Sequence, residues 1–113
     1  MQELFRGDSW DFEYKIKDAN GVDIDVTGWG IICAIQTSSE DLIEKKNSVA
    51  GGSDSEIKIL DTTGRILVQF TKEETEEVAL DKLTLEVEIT SPQGKRYTVS
   101  QDEYKVKDTI IKH

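Results

Sequence analysis

Cysteine, proline and histidine are nearly absent from this chain of 113 residues: each occurs once, at Cys33, Pro92 and His113. A single cysteine excludes an intrachain disulfide and fits a reducing compartment. As a nucleophile Cys33 would need a base, and the only histidine stands at the last position, where chains fray. Alternation instead puts Cys33 on the face of Ile31 and Ile35, so it reads as a buried, inert thiol.

Positive charge is also scarce. Fourteen basic residues stand against 23 acidic ones, for a net charge of -9, and no basic run exceeds Lys45-Lys46. Nucleic-acid binding needs a basic face, and an anionic membrane would repel such a chain. No apolar run approaches the roughly 18 residues of a membrane span. The opening MQELFRGDSW lacks the basic and apolar regions of a secretory leader. The expectation is a soluble protein made in a cytoplasm, with no nucleic acid, no membrane and no cofactor among its partners.

What the chain does have is period-two alternation. Trp10, Phe12, Tyr14 and Ile16 alternate with charged residues; Leu83, Leu85, Val87 and Ile89 do so most cleanly. Further short strands are expected at Val22, Ile24 and Val26, at residues 29–35, 42–49, 57–59 and 66–70, at Tyr97 and Val99, and at Tyr104 and Val106, followed by Ile110 and Ile111. Asn20-Gly21 and Ser91-Pro92-Gln93-Gly94 mark turns. Thr71 with Glu74 three residues on fits a capping box, which predicts one or two helical turns over residues 72–78. Seven or eight short strands with turn signals between them indicate an all-β sandwich, one domain over residues 1–113.

Several clusters invite a chemical reading and yield a structural one. Arg6-Gly7-Asp8 has the letters of an adhesion signal, but its residue types are those of an ordinary turn before the Trp10 strand. Asp18, Asn20, Asp23 and Asp25 suggest a calcium loop, yet Val22, Asp23 and Trp29 fall where an EF-hand needs an oxygen ligand, a glycine and a glutamate. Glu73, Glu74, Glu76 and Glu77 read as a solvated helix face, and Glu86 with Glu88 as the polar side of a strand. Gly51-Gly52-Ser53 lacks the lysine of a phosphate loop.

The order of these elements resembles a family of immunoglobulin-like β-sandwich domains of tailed-phage and prophage tails and baseplates. The resemblance rests on Arg6-Gly7-Asp8 before an aromatic strand, on Ile24-Asp25-Val26-Thr27-Gly28-Trp29, on the stretch from Gly64 to Thr75, and on the strand from Leu83 to Thr90 with its Pro92 hairpin. It departs from the family where Asp81 or Lys82 replaces a glycine. The resemblance implies an immunoglobulin-like antiparallel sandwich and a non-catalytic virion part, made in the bacterial host, that assembles a tail or baseplate by contact with other phage structural proteins or with itself. The alternative is a carbohydrate-binding or cell-surface adhesion module, for which Trp29 and Tyr97 are the available aromatic platform. Ile32 and Leu67, left outward by alternation, join Trp29 and Tyr97 as the candidate partner surface. Residues 4–6 and 104–107 are the candidate open strand edges.

Overall fold

The computed structural model of the chain describes residues 2–53 and 56–108. Its strands are β1 (Gln2–Phe5), β2 (Trp10–Lys15), β3 (Gly30–Thr37), β4 (Leu42–Lys46), β5 (Ile57–Ile59), β6 (Arg65–Phe70), β7 (Asp81–Thr90) and β8 (Arg96–Lys107), with one short helix, α1 (Lys72–Glu76), between β6 and β7. They form a five-stranded sheet in the order β1-β8-β7-β3-β4 and a three-stranded sheet in the order β2-β6-β5. This is the expected immunoglobulin-like β-sandwich. Every strand pair is antiparallel except β1 with β8, which run parallel.

Alternation decides what faces inward. Ile31, Cys33 and Ile35 of β3 sit opposite Ile89, Val87 and Leu85 of β7, and all six are buried. Facing them, Phe12 of β2, Val68 of β6 and Ile57 of β5 share one row of the smaller sheet. Phe12 packs edge-on to Phe70, with ring centroids 5.9 Å apart, and tilts onto Tyr104 of the other sheet at 5.4 Å. Burying side chains of this kind stabilises by about 1.5–3 kcal/mol each before conformational entropy is charged against it.

The helix begins as the capping box predicts: the Thr71 hydroxyl accepts from the Glu74 backbone N–H, and the Glu74 carboxylate accepts from the Thr71 N–H. Glu74 also reaches across to Lys45 of β4, with Nζ–Oε distances of 2.6 and 2.7 Å. The Lys45 side chain is only 10% exposed and its ammonium lies 5.5 Å from the Phe70 ring centroid. Thr75, on the same helical turn, is fully buried; its hydroxyl accepts from the Gly7 N–H and donates to the Asp8 carbonyl.

Three sequence expectations change. The segment at Val22, Ile24 and Val26 makes no strand: a single bridge, Lys17 with Asp23, closes the Asn20-Gly21 turn, and the chain then wraps past the core. The two strands expected near Tyr97 and Tyr104 are one strand of 12 residues, β8. Residues 104–107 are not an open edge, because β1 covers them, Leu4 pairing with Val106 and the Arg6 N–H bonding the Lys107 carbonyl, whereas β1 itself is an end strand of the sheet and keeps its other side open. Ile110, Ile111 and His113 lie outside the described residues.

Candidate functional site

Two strands of difference between the layers leave part of the wide sheet without a facing strand. At the Arg96 end of β8 the inner face meets the connection between β2 and β3. There an open cleft of about 600 Å³ is lined by Ile24, Trp29, Ile89, Tyr97 and Val99, with Lys17, Asp18, Ala19 and Thr98 completing its wall. Tyr97 is 49% exposed.

Each wall is built by local chemistry. The Asp18 carboxylate accepts from the Asn20 and Val22 N–H groups and stiffens the turn. The Ile16 N–H bonds the Gly64 carbonyl at 2.8 Å, and the Ile24 N–H bonds the Ile16 carbonyl at 3.1 Å, so Gly64 ties down one arm of that turn, packs close to both, and Ile16 links the two. Trp29 is held from behind by the buried Asn47. Its amide donates to the Trp29 carbonyl at 2.8 Å, while its oxygen accepts from the Ile31 and Ala50 N–H groups. On the far wall, Tyr97 pairs with Ile89, and the ladder between β7 and β8 slips between Val87 and Glu88. Val99 is the extra residue of that bulge: Glu88 pairs with Thr98 and Val87 with Ser100.

The slip matters for the edge of the sheet. β1 covers only residues 104–107 of β8. Among the described residues no strand pairs with that edge over residues 96–103, so its outward backbone groups have no ladder partner.

Of the four candidate partner-surface residues, Trp29 and Tyr97 come together in the cleft. Ile32 and Leu67 do not join them. Ile32 lies on the outer face of the five-stranded sheet between Glu88 and Lys46, and Leu67 on the outer face of the other sheet between Glu13 and Lys58. Both are half-buried and shielded by long charged neighbours.

The remaining clusters have structural duties. Arg6 pairs with Asp108 at 3.2 Å, and the backbone of Gly7 and Asp8 is tied to Thr75, so the tripeptide is a turn clamped to α1 and to the end of β8. Asp23 pairs with Lys15, and the Thr27 hydroxyl and N–H hold the Asp25 carboxyl below its usual range. Among the described residues no group of three or more His, Cys, Asp or Glu side chains converges to hold a metal. Desolvation pushes the Cys33 thiol up to about 12. Tyr14 is pushed up as well, first by desolvation and then by Tyr104 and Asp102 beside it. Glu86 accepts from the Gln101 amide across the outer face.

No family model and no curated protein matches this sequence. Among solved structures, the crystal structure of CopC from Methylosinus trichosporium OB3b superposes with a TM-score of 0.51, covering 100% of this chain and 91% of that one at 13% identity. A likeness at that identity establishes the β-sandwich and transfers no ligand. It also corrects the family expectation: the match runs to CopC, nothing points to a phage tail or baseplate, and the virion location lapses with it. The turns, aromatic strand, helix cap and proline hairpin that suggested that family are local backbone devices, none of them particular to one lineage. The comparison gives no support to a sugar-binding or adhesion module either, and the adhesion tripeptide is a clamped turn.

Proposed function

We propose that this chain is a non-catalytic binding domain that takes an extended polypeptide segment along the open edge of β8. The observation that carries the reading is the juxtaposition of that edge, residues 96–103, with the apolar cleft of Trp29 and Tyr97. Eight residues of strand span about 26 Å, the length a recognition segment occupies in strand addition. Main-chain hydrogen bonds supply affinity in that mode, and pockets for alternate side chains supply selectivity. Residues 97–101, Tyr-Thr-Val-Ser-Gln, contain neither charge nor proline, so the blocking devices on this edge are the Val99 bulge and the inward Asp102. The non-catalytic part of the reading is supported by the engagement of the clustered side chains, with Cys33 sealed in the core and Glu74, Asp18 and Asp25 each holding backbone N–H groups.

The test is amide hydrogen exchange of the full chain with and without an array of ten-residue peptides of alternating apolar pattern. Protection gained at residues 96–103, together with a shift of the Trp29 indole signal, is expected. Binding that protects another edge, or that survives Tyr97→Ala unchanged, refutes the reading.

A further inference from the structure

Resting on that reading, we infer that the segment taken up by the β8 edge is the same edge of a second copy of this chain, paired antiparallel about a two-fold axis into one continuous ten-stranded sheet. The register follows from the bulge. Without it, Arg96 and Glu103 would point to opposite faces; with Val99 inserted, Arg96, Thr98, Gln101 and Glu103 share the outer face, opposite Thr90, Glu88, Glu86 and Thr84 of β7. Tyr97, Ser100 and Asp102 share the inner one, opposite Ile89, Val87 and Leu85. Directly opposed residues in an antiparallel pair must project to the same face. Two copies therefore meet with Arg96 across from Glu103 of the second copy, Tyr97 across from Asp102, and Thr98 across from Gln101.

Charge complementarity selects this occupant. Arg96 has no ion-pair partner among the described residues, while Glu103 has only the exposed Lys82 at 3.5 Å. The two-fold axis makes the Arg96–Glu103 contact twice. The paired stretch also holds its charges at its ends, Arg96 at one and Asp102 and Glu103 at the other, and Lys95 just outside it balances them in a chain of net charge -9. Length fits as well: the paired segment stops at residue 103, and the pairing of β1 with β8 starts at Tyr104, so no described pair has to be displaced.

Sedimentation velocity of the full chain from about 1 μM to about 1 mM at physiological salt provides the test. A concentration-dependent monomer–dimer equilibrium is expected. Arg96→Glu, an exposed change that leaves the fold intact by circular dichroism, weakens it about tenfold or more by setting like charges opposite each other twice. Adding Glu103→Arg to that variant restores association. A chain that stays monomeric throughout, or a dimer indifferent to Arg96→Glu, overturns the inference. Monomers that nonetheless gain protection at residues 96–103 from the peptide array overturn the second copy alone; monomers that gain none overturn the strand-addition reading too.

Discussion

Gly64→Ala puts the architecture to a quantitative test. Gly64 is buried with φ +83°, and a Cβ built there falls 2.6 Å from both the Ile16 and the Ile24 carbonyl oxygens. Two costs add. The left-handed conformation penalises any L side chain by about 1–2 kcal/mol. The contacts then force two hydrogen-bonded backbone segments apart, on the scale of about 1–3 kcal/mol typical of overpacking. Against these, alanine restricts the unfolded chain, which returns about 0.4–1 kcal/mol. The expected net loss is about 3 kcal/mol. Gly21→Ala is the internal control: φ is +79°, but nothing lies within 4 Å of the added methyl, so only the conformational part remains, about 1 kcal/mol. With a urea m-value of about 1.5 kcal/mol/M, the midpoints fall by about 2 M and by less than 1 M. Equal shifts for the two variants would refute the claim that Gly64 is the close-packed anchor of the cleft's turn.

Other perturbations probe neighbouring parts. Asn47→Ala strips partners from the Ile31 N–H and the Trp29 carbonyl; a loss of about 2–4 kcal/mol is expected, with a red shift of tryptophan emission as Trp29 loosens. Glu74→Ala strands a Lys45 ammonium that is 10% exposed and costs about 2–3 kcal/mol, whereas Lys45→Met leaves a carboxylate 29% exposed and costs less; a double-mutant cycle in urea measures both. Desolvation alone would raise the Glu74 pKa, but the hydrogen bond from Lys45, those from Thr71 and the Lys45 charge outweigh it and hold the carboxyl below its ordinary value. A depressed carboxyl stabilises fully above the unfolded-state pKa, and its contribution is lost as pH falls through the folded-state value; acid titration of wild type against Glu74→Gln reads that difference below about pH 4.5. Asp81 holds φ +96°, a conformation that suits glycine, so Asp81→Gly raises the thermal midpoint, by about 0.5–1 kcal/mol in stability once glycine's entropy is deducted.

How much of this was legible beforehand depended on how local the cause was. Thr71 and Glu74 announce α1 because a capping box is complete within four residues. The strand β7 announces itself because every second side chain is buried from Leu83 to Ile89. The middle of β8 stayed hidden because its inward positions, Ser100 and Asp102, are polar and not fully buried; without burial there is no apolar alternation to see. Val22, Ile24 and Val26 erred the other way: they alternate, yet only Val26 is buried and the segment joins no strand ladder beyond the Lys17–Asp23 bridge. The cleft follows the same logic. Trp29 and Tyr97 each stood out as unassigned aromatics, but their meeting depends on pairings far apart in the chain, as does the parallel closure of β1 on β8.

That closure has a mechanical side. Because β1 and β8 run the same way, Gln2 sits beside Tyr104 and Phe5 beside Lys107. Tension drawn outward from the two ends of this pair pulls along the strands in opposite senses. The four paired positions are then sheared together instead of peeling one at a time, and Arg6 with Asp108 adds a bond at the far end. A domain tethered in this way resists stretching far better than its thermodynamic stability alone would indicate, since rupture is governed by the height of a barrier and not by the depth of a well.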